Sequence, residues 1–308
     1  MAKIDFKGRV AVVTGAGAGL GRCHAIELAK RGAKVVVNDL GGSRDGVGSS
    51  DAAANKVVEE IKALGGEAVP NYDDVSTVKG GENITKTAID AFGRIDILVN
   101  NAGILRDKSF VKMEEENWDL VVAVHLRGAY CCTKPAFSKM REQGYGRIVM
   151  TSSTAGVLGN FGQSNYGSAK MGLCGLANVL KLEGEKYNIK VNCLLPNAGT
   201  RLTADVMPPE FFAMATVERV TPVVLYLCSE QCQDTGMYIN ADTGWYARSN
   251  IMTGPGVFIK NATAEDIADN WAKITDLTGA KYYNSIIDHM PDLMKMIGID
   301  LGGLKRPS

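Results

Sequence analysis

The 308-residue chain has no apolar run approaching the roughly 18–20 residues of a membrane span. Its opening residues, Met1 to Lys7, hold no apolar core of a secretory leader. Neither sign of charge is in excess, since 34 Lys and Arg balance 34 Asp and Glu. That balance speaks against a protein that coats nucleic acid or a membrane surface. The seven cysteines are odd in number and contain no C-x-x-C pair, and the three histidines lack ligand spacing. Neither a disulfide framework nor a metal site is expected, and the chain reads as intracellular. Proline is scarce at 9, whereas glycine reaches 35. This surplus points to tight turns where backbone must approach something closely.

What is present is alternation. Short apolar segments at 9–14, 34–39, 67–70, 96–100, 147–152, 189–195 and 237–240 read as strands. Between them, 20–31, 51–64, 78–92, 115–143, 164–187 and 209–229 read as helices, with Pro135 expected to kink the longest. Strands alternating with helices of this length imply βαβ units. Near-continuous apolar strands fit a parallel sheet covered on both faces. The expected fold is α/β, a Rossmann-like doubly wound parallel sheet over residues 1–250. A helical extension follows over 251–308, with helices at 263–277 and 283–297. Thr263 and Asp266 form the frame of a capping box, Asp standing in for Glu.

The first strand runs into Thr14-Gly-Ala-Gly-Ala-Gly-Leu-Gly21 and then a helix. A glycine-rich strand-to-helix turn brings backbone N–H groups and a helix N-terminus to a diphosphate. Position 20 is leucine, so G-x-G-x-x-G fails, while Gly15, Gly19 and Gly21 satisfy G-x-x-x-G-x-G. Asp39 ends the second strand. A carboxylate there accepts the adenine-side ribose hydroxyls and repels a 2′-phosphate, which favours NAD over NADP. Arg22 and Arg44 could serve a phosphate and keep NADP open. The glycine-rich loop 40–50 exceeds a minimal βα link, and the motifs assign it no role.

Tyr166-Gly-Ser-Ala-Lys170 places a phenol and an ammonium on one helix face. The ammonium is expected to favour the phenolate and pull the tyrosine down toward neutral pH. Ser153 ends the preceding strand, 13 residues before Tyr166, and can share one oxygen with it at the carboxyl edge of the sheet.

Together, T-G-x-x-x-G-x-G, Asn100-Asn-Ala-Gly103, Ser153, Tyr166 and Lys170 resemble the short-chain dehydrogenase/reductase superfamily over about residues 5–245. The resemblance implies Tyr166 as general acid/base, Lys170 on the nicotinamide ribose, and Ser153 on the reacting oxygen. Asn101, Ala102 and Gly103 would line the cofactor site. The segments Val37-Asn-Asp-Leu-Gly-Gly42, Val124-His-Leu-Arg-Gly128, Gly159-Asn-Phe-Gly-Gln163 and Pro196-Asn-Ala-Gly-Thr-Arg201 are similar to one narrower family, the (3R)-hydroxyacyl-CoA dehydrogenase units of peroxisomal multifunctional enzymes. That similarity implies NAD, an acyl-CoA substrate, a homodimer and a peroxisomal setting, with cytoplasm as the alternative because Arg306-Pro-Ser308 is not an S-K-L address. It also implies cofactor contacts from Leu20, Asp39, Asp74, Val75, Asn101, Ala198, Gly199, Thr200 and Arg201. His125 stands where most of the superfamily has asparagine. It either joins the catalytic group or packs in its helix. A 3-oxoacyl-carrier-protein or steroid reductase is the alternative enzyme, and a non-catalytic NAD-binding regulator the alternative of another class.

Overall fold

The computed structural model describes residues 3–200 and 209–299. Two compact units emerge, Met1–Arg248 and Ser249–Ser308. In the first, the strands are β1 (Val10–Thr14), β2 (Lys34–Asn38), β3 (Glu67–Asn71), β4 (Ile97–Asn100), β5 (Gly146–Thr151), β6 (Ile189–Asn197), β7 (Tyr238–Asp242) and β8 (Trp245–Ser249). The helices are α1 (Gly19–Lys30), α2 (Ala52–Ala63), α3 (Val78–Phe92), α4 (Glu115–Val122), α5 (Gly128–Gln143), α6 (Thr154–Leu158), α7 (Ser164–Gly184), α8 (Pro209–Met214) and α9 (Thr221–Cys228).

One eight-stranded sheet results, in the order β3-β2-β1-β4-β5-β6-β7-β8. Pairing is parallel from β3 through β7. The period-2 alternation of each strand divides its valines between two cores. Ala11, Val13, Val35, Val37, Ile97 and Val99 face the layer built with α1, α2 and α9. Val10, Val12, Val36, Leu98, Ile148 and Met150 face the layer of α3, α5 and α7. Strand order reverses between β1 and β4, so a crevice opens beyond their carboxyl ends, where open α/β sheets bind ligands.

The structure departs from the expected elements at instructive points. The 115–143 helix is interrupted by a π-helical turn at Ala123–Arg127, while Pro135 stays inside α5. Proline lacks the N–H that would bond the Cys131 carbonyl. A Cβ on Gly81 of α3 would stand 2.1 Å from that carbonyl oxygen, so the two helices meet backbone to backbone there. The 209–229 helix is split into α8, a 3₁₀ turn at Val217–Arg219, and α9, which opens on Pro222. Strand β8 was not expected. Thr243 and Gly244 both take positive φ, the turn chemistry of a tight hairpin, and return the chain beside β7.

The second unit carries α10 (Ala264–Asp269), α11 (Trp271–Ile274) and α12 (Ile286–Met296). The expected 263–277 helix is broken at Asn270. Its capping box is present: Thr263 Oγ1 accepts from the Asp266 N–H, and Asp266 accepts from the Thr263 N–H at 2.9 Å. Ser285 caps α12, and Asp292 accepts from both Lys281 and Tyr283. No residue of these three helices is buried.

Candidate active site

The β1–α1 turn is built for close approach. Gly15 and Gly19 take φ of 61° and 55°. A Cβ on Gly15 would lie 2.7 Å from the Ala102 Cα, so β1 and the segment after β4 touch through backbone. Thr14 Oγ1 accepts from the N–H groups of Asn101 and Ala102, and Asn101 Nδ2 donates to the Thr14 and Gly15 carbonyls at 2.9 and 3.1 Å. These bonds fix two loops, far apart in sequence, as one wall.

That wall borders a cavity of about 520 Å³ at the switch point. Gly15, Gly19, Leu20, Asp39, Asp74, Val75, Asn101, Ala102, Gly103, His125, Ser153, Tyr166, Lys170, Ala198 and Thr200 all line it. Gly21 and Gly199 do not. A Cβ on Gly21 would fall 2.3 Å from the Gly15 carbonyl, so this glycine supports the turn from behind. A Cβ on Gly199 would lie 2.8 Å from the Phe212 carbonyl, which places that glycine against the chain beyond it. Arg201 lies outside the described residues. Sequence reasoning missed Gly42, Ser43, Gly46, Leu105, Leu120, Asn160 and Gln163, which also form the wall. The length of loop 40–50 was the visible signal: its Arg44 carbonyl accepts from the Leu105 N–H, and its Asp45 carbonyl from Arg106 Nε.

Asp39 tests whether a dinucleotide fits. Its two carboxylate oxygens each accept one backbone N–H, from Gly17 and from Gly41, both at 2.7 Å. A carboxylate has about four acceptor positions. Asp39 is therefore held rigidly at the cavity edge with capacity left for two hydroxyls. A Cβ on Gly17 would lie 2.8 Å from Asp39 Oδ2, so only glycine permits this arrangement. The residues present fit a dinucleotide.

At the other end, Ser153 caps α6, its Oγ accepting from the Ala155 N–H at 3.1 Å. Tyr166 and Lys170 follow one turn apart on α7. Here an expectation is corrected. Burial pushes the phenol up to about 12, opposed by its hydrogen bond with Ser153, and it is not drawn toward neutral pH. Lys170 bears the larger displacement instead, pulled down to about 7 by burial and partly supported by Cys174 and Cys193. The reason is geometric. Lys170 Nζ donates to the Thr151 carbonyl at 2.5 Å and stands 5.3 Å from the centre of the Tyr166 ring. Desolvation then penalises the charged form of both groups.

His125 lies in the π turn, buried, with its ring edge-on to Tyr166 at 5.1 Å. Its Nε2 pairs with the Ile104 backbone, 3.1 Å from N and 2.8 Å from O. Burial and nearby Lys170 hold its pKa well below the ordinary value, so the ring is neutral. A Cβ on Gly103 would meet the ring at 2.3 Å. Behind the site is a second space of about 10 Å³, lined in part by Asn100, His125, Thr151 and Lys170. This is the size of one water. His125 Nδ1 and Thr151 Oγ1 are buried without a partner among the described residues.

The model of the short chain dehydrogenase family matches residues 9–208. The chain is 50% identical over 294 residues to peroxisomal multifunctional enzyme A of Dictyostelium discoideum, covering 96% of this chain and 66% of that protein. The solved structure of full-length peroxisomal multifunctional enzyme type 2 from Drosophila melanogaster superposes with a TM-score of 0.81 at 41% identity, covering 96% of this chain and 50% of that one. A 7α-hydroxysteroid dehydrogenase solved with NADH and 7-oxo glycochenodeoxycholic acid gives 0.72 at 28% identity, covering 79% and 98%. This chain belongs to the short-chain dehydrogenase family. It is an oxidoreductase using a nicotinamide cofactor. The chain spans half to two thirds of these multifunctional relatives. Among the described residues, no helix is long and apolar enough to cross a membrane.

Proposed function

We propose that the chain oxidises (3R)-3-hydroxyacyl-CoA to 3-oxoacyl-CoA in fatty acid β-oxidation, with NAD as acceptor. The observation that carries the proposal is the placement of Ser153, Tyr166 and Lys170 in one cavity with Asp39. The substrate class rests on the resemblance of Val37–Gly42, Val124–Gly128, Gly159–Gln163 and Pro196–Arg201 to (3R)-hydroxyacyl-CoA dehydrogenase units. Gly15, Gly19, Asp39, Asn101 and Lys170 would hold NAD in this cavity, and the cofactor would supply the acceptor for the hydride from C3.

Ser153 Oγ and the Tyr166 phenol hold the substrate oxygen. Tyr166 takes the hydroxyl proton during oxidation and returns it in reduction. Because burial keeps the phenol protonated, it accepts that proton only as its own proton passes on, and Lys170, pulled down to about 7, is the neighbouring group able to take it in its neutral form. A water in the small space lined by Lys170, His125 and Thr151 would be placed to exchange a proton with the lysine. His125 fixes the Ile104 segment and one side of the phenol ring.

NAD is proposed over NADP because Asp39 is rigidly aimed at the cavity. Arg22 is tied to Glu60, and neither Arg22 nor Arg44 lines the cavity. A homodimer and a peroxisomal setting complete the proposal and rest on the family resemblance. The test is turnover of purified (3R) and (3S) 3-hydroxyacyl-CoA with NAD and with NADP. With oxygen held by Ser153 and Tyr166 and the hydride aimed at the ring, exchanging enantiomers drives the coenzyme into the space of the acyl tail. Oxidation of (3R) with NAD at rates at least about 100-fold above (3S) is expected, or roughly 2.7 kcal/mol. Equal rates would refute the pocket model, and a clean (3S) preference would overturn the family assignment.

A further inference from the structure

Loop 40–50 leaves the sheet at the end of β2 and comes to rest against the segment after β4. In the sheet order β1 stands between those two strands, so the loop passes over the carboxyl end of β1, where the glycine turn lies. Its base is closed by the Ser50 N–H on the Leu40 carbonyl, and its tip by the Ser43 N–H on the Val47 carbonyl, both at 2.9 Å. On the far side the Arg44 carbonyl accepts from the Leu105 N–H at 3.2 Å, and the Asp45 carbonyl from Arg106 Nε at 2.8 Å. Between those anchors Gly42, Ser43 and Gly46 line the cavity. Asp39 stands at one end of the space proposed for the dinucleotide. Ile104, bonded to the His125 ring beside Tyr166, stands at the other. The loop is a strap that runs from one end to the other.

The two sides of the Asp45–Arg106 contact differ in rigidity. Gly41, Gly46 and Gly48 take φ of 77°, 84° and 80°, so the strap turns on residues without side chains. Arg106 is fixed to the frame. Its Nη1 donates to Glu116 at 3.0 Å and to Asn117 at 3.2 Å on α4, and its carbonyl accepts from Asn165 Nδ2 at 3.0 Å. Asn165 is fully buried, donates also to the Asn117 carbonyl at 3.1 Å, and accepts the Tyr166 N–H at 2.7 Å. The guanidinium thus reaches from the frame that holds Tyr166 to a backbone carbonyl on the strap. Neither Asp45 nor Arg106 lines the cavity, so their contact acts on the strap and not on a ligand.

We propose that Arg106 is a positioning residue, a latch that holds loop 40–50 across the dinucleotide and sets the rate at which the dinucleotide enters and leaves. The proposal rests on the dinucleotide reading above and adds to it a control of exchange. Lifting of the strap precedes both entry and exit. Weakening the latch therefore speeds both steps and leaves affinity nearly unchanged.

The test compares Arg106→Ala and Arg106→Lys with wild type, using NADH as the probe. Stopped-flow fluorescence gives its association and dissociation rates, calorimetry its Kd, and a thermal scan the midpoint of each variant. Lysine keeps a cation toward Glu116 and Asn117 but has no N–H at the position that meets the Asp45 carbonyl. Both rates are expected to rise about fivefold in either variant, equivalent to about 1 kcal/mol, the usual net worth of one hydrogen bond. Kd should stay within about twofold, and the lysine variant should keep the wild-type midpoint. Glu116→Gln breaks the ion pair, leaves the Asp45 contact, and is expected to exchange NADH at wild-type rates. Faster dissociation without faster association would mean damage to the site and overturn the latch. Equal acceleration in Glu116→Gln would overturn it too, as would a midpoint that collapses in both Arg106 variants. Wild type that binds no NADH would overturn the dinucleotide reading and the latch with it. NADH binding at wild-type rates in both Arg106 variants would remove the latch alone.

Discussion

The two ends of the cavity are built from different materials. At the Asp39 end, the binding groups are backbone N–H groups and one carboxylate, held by glycines that take conformations or contacts no side chain allows. At the Tyr166 end, the working groups are side chains removed from water, and burial governs their protonation. In the proposed reading the first end would recognise through fixed geometry, and the second would work through groups whose charged forms desolvation disfavours. The cradle is made of backbone groups locked to one another, from segments as far apart as Gly15 and Ala102. A reactive group needs the surrounding fold.

The largest break in this comparison comes from Tyr166→Phe. The ring still packs against His125, so the fold and dinucleotide affinity are expected to persist. Turnover should fall beyond the roughly 10²–10⁴-fold of general acid–base catalysis, because the hold on the substrate oxygen goes too. Calorimetric cofactor binding together with NADH absorbance separates the two ends directly. Near-normal turnover would remove Tyr166 from the chemistry.

Lys170→Met probes what burial does at the reactive end. The lysine sits at about 7 in the fold against an ordinary 10.5, so the unfolded chain holds more protons between those values. Its stability cost is complete below about pH 7, shrinks as pH rises, and vanishes near the unfolded value. Met carries no such dependence. Relative to wild type, the variant should lose ground as pH rises from neutral to about 10, by up to ~1.4 kcal/mol per pH unit. Urea unfolding at both ends of that range measures it. A difference that stays constant with pH would mean the lysine is not displaced.

The smallest effect is expected at the cradle. Asp39→Ala removes both the ribose acceptor and the repulsion of a 2′-phosphate. The ratio of NAD to NADP affinity should fall about tenfold, close to 1.4 kcal/mol, while the turnover of bound enzyme changes little. An unmoved ratio would reduce Asp39 to an anchor for Gly17 and Gly41.

The α/β alternation, the double burial of the strands, the glycine turn and the Ser153, Tyr166 and Lys170 group were legible because each is a local pattern with a fixed period or spacing. Where elements break was less legible. The π turn at His125 replaced a kink expected at Pro135, and the helix after Pro209 divided. Both outcomes depend on neighbours, as the approach of Gly81 to the Cys131 carbonyl illustrates.

By itself the sequence determined the order of the main elements, the glycine-rich turn after β1, and the spacing of Ser153, Tyr166 and Lys170, which line one cavity. Only the tertiary structure decided where loop 40–50 goes, which residues close the cavity, and which member of the tyrosine–lysine pair sits near neutral pH. The physical reason is the same in each case. Turn geometry and hydrophobic period are carried by adjacent residues. Desolvation, close approach and cavity shape arise between residues far apart in the chain, as when Lys170 finds the Thr151 carbonyl rather than the phenol oxygen.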